Sequence, residues 1–179
     1  MWPPHLIEPR RGQRGEEQEE GGMNVLALDP GARTGIGTTI DGVIDLLTDA
    51  DGLADTIAIL RTLPRPDRIV IEMPTRAPES KIDDYGTLRE SCGQLVAVCF
   101  MLWGPVPILR PWPLPRNGER GWQEVRAGYT GTSKDQSVKF VADHLRRHGR
   151  DPSVLRTGRG RVRHDVADAG CMAVWGAGQ

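Results

Sequence analysis

The stretch that decides the fold runs over Met23–Gly37 and reads MNVLALDPGARTGIG. Its apolar run NVLALD predicts a buried β-strand that ends in Asp29, and a proline-glycine pair then turns the chain. The segment GIGTTI predicts a second strand, and VIDLLT predicts a third. The pair Asp41-Gly42 between the second and third strands is a strong hairpin signal. The opening of the chain therefore predicts an antiparallel meander of three strands.

The rest of the sequence alternates helical and strand patterns. LADTIAILRTL predicts a helix, RIVIE predicts a fourth strand that ends in Glu72, and VPILR predicts a fifth strand. An apolar stripe at helical spacing predicts a helix from Leu88 to Trp103, which could be buried in the core or form a dimer surface. SKDQSVKFVADHLRRHG predicts a helix capped by Ser133, and HDVADAGCMAVWG predicts the last helix. The fold class is therefore α/β, with a five-stranded mixed sheet flanked by helices on both faces.

Size and composition favour one domain. The chain has 179 residues and a 38% hydrophobic share, which suits a single compact core over residues 23–179. Residues 1–22 are polar and punctuated by Pro and Gly, so we expect a disordered tail there. The three cysteines are odd in number and have no metal-binding spacing, which favours core roles in a reduced compartment. With neither a signal peptide nor an apolar run of bilayer length, we expect a soluble cytoplasmic protein that does not contact membranes.

The charge is unevenly distributed along the chain. The formal net charge is −1, yet residues 101–179 carry 13 basic and 7 acidic side chains. A basic half of this kind is a plausible surface for contacting phosphate groups.

Four acidic residues fall at positions where they could meet. Asp29 and Glu72 each end a strand, and Asp165 and Asp168, three residues apart, share one face at the start of the last helix. We expect the strand of Glu72 to lie parallel to the first strand and beside it, so that two strand ends and one helix start can converge on a single spot. Such a cluster suits Mg²⁺ or Mn²⁺, and a pair of these ions assists phosphodiester hydrolysis.

Each of these residues also has a simpler explanation. Asp29 before Pro-Gly suits a turn, Glu72 could emerge into solvent, and the aspartate pair fits a helix cap with an acidic first turn. Independent turns and caps need not occur in this order on this topology, so their joint placement favours a shared site.

The three acidic segments together resemble those of the RuvC-type Holliday junction resolvases of the ribonuclease H-like superfamily. ALDPGARTGIG looks like the first motif of that family, VIEMP like the second, and HDVADAG like its closing D-x-x-D-A motif. TSKDQSVKFVADHL resembles the segment that supplies a functional lysine, here Lys134. Arg126 lies where such resolvases often carry another basic residue. Gly170 and Gly176 depart from the usual aliphatic pattern and predict looser packing of the last helix.

The resemblance implies a Mg²⁺-dependent crossover junction endodeoxyribonuclease, in which Mn²⁺ could substitute. It implies two ions held by Asp29, Glu72, Asp165 and Asp168, with Lys134 near the scissile phosphate. It also implies a homodimer that nicks opposing strands of a four-way DNA junction and leaves 5′-phosphate and 3′-hydroxyl ends. A helicase partner cannot be named from the sequence. The residues expected to contact DNA phosphates are Arg126, Lys134, Arg156, Arg159, Arg161 and Arg163.

Other interpretations remain beside this one. GYTGTSKD lacks the residues of a phosphate-binding P-loop at the positions around its lysine, and the chain is too short for a two-domain sugar kinase or actin-type ATPase. A nuclease of similar fold that cuts flaps, forks or RNA hybrids stays open, as does a junction-binding module without activity. A solvated loop is the alternative for the arginines, and His164 is left out of the catalytic set as a simple loop histidine.

Overall fold

The computed structural model describes residues 22–72, 82–111 and 121–179, and for residues 82–85 it describes the backbone alone. Except for Gly22, the predicted tail lies outside these ranges. Residues 112–120, which belong to a stretch rich in proline and tryptophan, also lie outside them. Within them the strands are β1 (Asn24–Asp29), β2 (Thr34–Ile40), β3 (Val43–Ala50), β4 (Arg68–Ile71) and β5 (Ile108–Leu109). The helices are α1 (Gly52–Leu60), α2 (Ile82–Trp103), α3 (Ser133–Arg147) and α4 (His164–Ala177), with 3₁₀ turns at Trp122–Arg126 and Pro152–Leu155.

The strands form one mixed sheet in the order β3-β2-β1-β4-β5. The predicted antiparallel meander of β1, β2 and β3 is confirmed. Asp41 and Gly42 join β2 to β3 with φ angles of 53° and 75°. Both values are positive, as a two-residue turn matching the twist of a hairpin requires.

β4 lies parallel to β1 and beside it, as the argument for a shared site requires. Leu28 is paired with Ile71, and the Glu72 amide donates to the Leu28 carbonyl at 3.4 Å. The next residue of β1 is Asp29, so Asp29 and Glu72 leave the sheet at the same edge.

Helices cover both faces of the sheet, because successive strand residues point in opposite directions. Val25 and Ala27 of β1 pack with α3 and α4, while Leu26 and Leu28 pack with α1 and α2. β4 alternates in the same way, with Val70 on the first face and its two isoleucines on the other. The predicted fold class is confirmed.

Most of the stripe on α2 lies in the core of the chain itself, although Phe100 at its end is 61% exposed. Cys92, Leu95, Val98 and Cys99 are buried in the cluster that also contains residues of β1 and β4. All three cysteines are free and buried, as predicted. None of the described helices combines the length and the apolar character needed to cross a bilayer.

The expectation that glycines loosen the last helix is wrong. A Cβ atom at Gly176 would lie 2.5 Å from Val70 Cγ2 and 3.0 Å from Val25 Cγ1. The missing side chain therefore allows α4 to approach the sheet closely, and glycine tightens the packing here.

The predicted cap of α3 is displaced by one residue. Thr132 is the N-cap, and its hydroxyl accepts a hydrogen bond from the Asp135 amide. The Asp135 carboxylate in turn accepts from the Thr132 amide at 3.1 Å, which completes a capping box. Ser133 is instead the first helical residue, and its hydroxyl is free to bond elsewhere.

Candidate active site

The start of α4 is held against the sheet at the position where β1 ends. Asp29 is paired with Gly35 across the β1–β2 ladder. A Cβ atom at Gly35 would lie only 2.1 Å from the carbonyl oxygen of Asp165. Glycine at this position therefore lets the first turn of α4 approach β2 beside Asp29. The close approach brings the carboxylates of strand and helix into electrostatic contact.

Asp29 lies at the centre of the acidic group. Burial raises the pKa of Asp29 well above its ordinary value, and the charges of Glu72, Asp168 and Asp165 raise it further, in that order. The side-chain interaction with Glu72 also raises the pKa of Asp29, and the same interaction lowers the pKa of Glu72. Without a compensating positive charge, burial and these neighbours disfavour the ionised form of Asp29.

Glu72 is fixed by contacts at both its side chain and its backbone. The indole Nε1–H of Trp122 donates to Glu72 Oε1 at 3.3 Å, and Cys92 Sγ donates to the Glu72 carbonyl at 3.5 Å. Burial raises the pKa of Glu72, and the hydrogen bonds from Asp29 and Trp122 only partly oppose it. Trp122 is 2% exposed, so the packed core holds its ring in place beside Glu72.

Asp168 is surrounded by polar groups from α3 and the preceding 3₁₀ turn. Burial raises the pKa of Asp168, against the opposing effects of a hydrogen bond from Ser137 and the charge of Arg126. Arg126 Nη1 lies 3.6 Å from Asp168 Oδ1. That oxygen is buried and has no hydrogen-bond partner among the described residues.

Arg126 occupies a different position from the exposed phosphate contact expected from the sequence. It is 2% exposed, and its guanidinium lies over the Trp122 ring at 5.1 Å from the ring centroid. Nη1 donates to the Ser133 carbonyl and the Ser137 hydroxyl, and Nη2 donates to the Ser133 hydroxyl. A buried guanidinium with these partners supports the site from within and does not face a DNA backbone.

Lys134 lies where the sequence predicts it, in the first turn of α3, and its side chain is exposed. Its charge acts on Asp168, where it favours the ionised carboxylate. A lysine at a helix N-terminus beside a carboxylate group is well placed to meet an anionic ligand.

The four arginines of the basic loop divide into two kinds. Arg163 donates to the Val154 carbonyl at 3.1 Å and forms an ion pair with Asp49, while Arg156 donates to the Gly160 carbonyl at 3.1 Å. Arg159 and Arg161 are exposed, and their side chains make no hydrogen bond or ion pair with any other described residue. An antiparallel β-bridge between Arg156 and Val162 closes the loop that contains Arg159 and Arg161. Two arginines therefore hold the loop, and two extend from it.

The donor set is compatible with a hard divalent cation. The ligand atoms available are carboxylate oxygens, which hard cations prefer. The pKa values of Asp29, Glu72 and Asp168 are raised. The buried Asp168 Oδ1 accepts no hydrogen bond from the described residues. Nevertheless, no three acidic, histidine or cysteine side chains in the described ranges are already arranged to hold one ion. The assignment of the four carboxylates as metal ligands stays a prediction.

Sequence reasoning missed several residues that shape this site. Trp122 lies in a stretch with no recognisable pattern, although its spacing of four from Arg126 would allow an aromatic ring and a guanidinium to stack. The spacing of Ser133 and Ser137 indicates a buried polar partner more clearly than the spacing of Trp122 and Arg126 does. The two serines are four residues apart on α3, and a serine on the core face of an amphipathic helix needs a buried polar partner.

Comparison with solved structures identifies the fold. No family model matches the sequence, and no curated protein matches it by sequence. T. thermophilus RuvC in complex with a Holliday junction substrate superimposes with a TM-score of 0.57 at 15% identity, covering 85% of this chain and 90% of that one. A second Thermus thermophilus RuvC structure gives 0.56 at 17% identity, covering 85% and 92%. The chain therefore has the RuvC fold, over nearly the full length of these proteins.

Proposed function

We propose that the protein is a Mg²⁺-dependent endodeoxyribonuclease that resolves four-way DNA junctions by paired nicks. One observation carries the proposal. Asp29 at the end of β1 lies within electrostatic reach of Glu72, which follows β4, and of Asp165 and Asp168 on α4. The fold around them is that of RuvC, one structure of which contains a Holliday junction substrate. A protein that only binds DNA would gain nothing from concentrating negative charge where phosphate approaches.

The four carboxylates would hold one or two Mg²⁺ ions, with Mn²⁺ as a substitute. Bound there, the metal supplies positive charge for the phosphate and lowers the pKa of a water molecule. The pKa of Asp29 is raised, and a metal ligand must be deprotonated, so a bound cation would favour the ionised form of Asp29. Metal binding is therefore expected to release a proton.

Lys134 supplies the positive charge that comes from the protein itself. From the first turn of α3 its ammonium group can meet the scissile phosphate, and stabilise the charge that develops there. Water attacks phosphorus, the bond from phosphorus to the 3′-oxygen breaks, and this oxygen takes up a proton. The products are a 5′-phosphate and a 3′-hydroxyl.

The exposed Arg159 and Arg161 are proposed to contact phosphates that flank the site, giving affinity without sequence information. A homodimer would present two such sites to the junction, as paired nicking requires. Arg156 and Arg163 hold the loop in shape.

The test is cleavage of a labelled four-way junction in Mg²⁺ or EDTA, beside duplex, fork and flap controls of the same sequence. Asp29→Asn and Asp168→Asn are compared with the parent chain. Asp45→Asn serves as the matched control, because Asp45 is a surface residue paired with Arg150. We expect symmetrical nicks that need Mg²⁺, that both site variants lose, and that the control keeps. Both site variants should still bind the junction.

Three outcomes would change the proposal. Equal cutting of forks or flaps would keep the site but widen the substrate class. Junction binding without cleavage in Mg²⁺ or Mn²⁺ would favour a binding module. Full activity of Asp29→Asn would show that the site has been placed wrongly.

A further inference from the structure

The 3₁₀ turn Trp122–Arg126 contacts two of the four carboxylates, although it contributes none of them. Trp122 at its start bonds the side chain of Glu72, and Arg126 at its end lies against Asp168. Glu72 follows β4 and Asp168 lies on α4, so one short turn connects two separate elements of the site. We propose that Trp122 and Arg126 are positioning residues that hold Glu72 and Asp168 for metal binding, an inference that rests on the proposed function.

The Trp122 contact is directional. An indole Nε1–H is a donor only, and it fixes one oxygen of Glu72 at 3.3 Å. Because the ring is buried, the donor cannot move away without repacking the core. The indole does not occupy the other carboxylate oxygen, to which a cation could bind. A hydrogen-bond donor behind a ligating carboxylate fixes the orientation of that carboxylate. Less rotational freedom is then lost when the metal binds.

The Arg126 contact extends the support to α3. Its guanidinium bonds both Ser133 and Ser137, while its Nη1 lies 3.6 Å from Asp168 Oδ1. Ser133 directly precedes Lys134 in the chain. Arg126 therefore joins the start of the lysine-bearing helix to a carboxylate on α4. Stacking of the guanidinium on Trp122 makes the two residues one unit.

The fixed planar fork of arginine matters here as well as its charge. Two nitrogens of Arg126 serve three serine oxygens, which a lysine ammonium cannot reproduce in the same plane. Arg126→Lys keeps the charge and removes this geometry. It therefore separates positioning from simple charge compensation.

The chain offers a matched control for the tryptophan. Trp122→Phe removes the donor to Glu72 and keeps an aromatic ring beside Arg126. Trp175→Phe makes the same chemical change at an indole whose buried Nε1 has no hydrogen-bond partner in the described part of the chain. Trp175 packs against the core at the end of α4, far along the helix from Asp168.

The experiment measures Mn²⁺ binding to the full-length chain without DNA, by calorimetry and by the electron paramagnetic resonance of free Mn²⁺. Removal of an outer hydrogen bond from a metal ligand weakens affinity by about 10- to 100-fold. We expect a loss in that range for Trp122→Phe and for Arg126→Lys, and a loss of less than about twofold for Trp175→Phe. Thermal unfolding in EDTA checks that the two phenylalanine variants have comparable stability.

The positioning role alone would be overturned if Trp122→Phe and Trp175→Phe bound Mn²⁺ equally well. This conclusion requires that the parent chain binds Mn²⁺ and that Asp29→Asn does not. Failure of the parent chain to bind Mn²⁺ would overturn the metal site, and the positioning role with it. Because the measurement needs no DNA and no cleavage, the two failures are distinguishable.

Discussion

Gly35 makes the sharpest prediction about how the fold creates the site. Its Cβ position lies 2.1 Å from the Asp165 carbonyl oxygen and 2.5 Å from the carbonyl carbon, where side-chain Cβ atoms essentially never approach closer than 3.0 Å. In Gly35→Ala the two backbones must therefore separate by at least about 0.9 Å, the difference between 3.0 and 2.1 Å. The obstacle is backbone, so no side chain can rotate to relieve it.

The displacement falls directly on the candidate site, because Asp165 begins α4 and Gly35 is paired with Asp29. Overpacking of this kind costs about 1–3 kcal/mol of stability. For a chain of this size each kcal/mol lowers the Tm by about 2–4 °C. A misplacement of about 1 Å in a catalytic constellation costs on the order of 100-fold in rate. We therefore expect Gly35→Ala to remain folded at room temperature, with Mn²⁺ affinity and junction cleavage strongly reduced.

Two other glycines provide graded controls for thermal unfolding, Mn²⁺ titration and junction cleavage. At Gly37 the nearest atom, the Ala169 carbonyl oxygen, lies 2.8 Å from the Cβ position, so a shift of about 0.2 Å is enough. At Gly93 on α2 nothing lies within 4 Å, and alanine there is expected to stabilise the helix by up to about 1 kcal/mol. If Gly35→Ala matched Gly93→Ala in metal affinity and cleavage, the close approach of α4 would not create the site.

Two further predictions concern charge. Since burial and neighbouring carboxyls raise the pKa of Asp29, its contribution to stability is complete below the ordinary value of 3.8 and is lost as the pH rises through the raised pKa. In EDTA, Asp29→Asn should therefore gain stability relative to the parent chain as the pH rises above the ordinary value of 3.8 in thermal unfolding, and a difference independent of pH would contradict this. Arg159→Gln and Arg161→Gln should each lower the slope of log affinity for a junction against log salt by about 0.9, measured by fluorescence anisotropy. Arg156→Gln should leave that slope unchanged, and equal effects at all three positions would refute the division of the loop.

The sequence was most informative where a pattern is local. The Asp41-Gly42 turn requires positive φ at both positions, so it could be read from two letters. The continuous apolar runs of β1 and β4 predict strands that are buried on both faces of the sheet, and the helix between them favours parallel pairing. These features predict that Asp29 and Glu72 leave the sheet at one edge.

The sequence was least informative where contacts join distant segments. Arg126 is predicted to contact DNA because it lies where RuvC-type resolvases often carry a basic residue. Its burial depends instead on tertiary contacts with Ser133 and Ser137 of α3. The role of Gly176 was misjudged for a related reason. Whether a glycine loosens or tightens a helix depends on how near Val70 lies, and this distance is a property of the packed structure.

The central claim is that carboxylates from β1, β4 and α4 form one metal centre. Anomalous diffraction from crystals of the full-length chain soaked in Mn²⁺ tests it most directly. We expect a strong Mn²⁺ peak among Asp29, Glu72, Asp165 and Asp168, absent from Asp29→Asn crystals soaked in the same way. Mn²⁺ bound only elsewhere on the molecule, or a peak that survives Asp29→Asn unchanged, would contradict it.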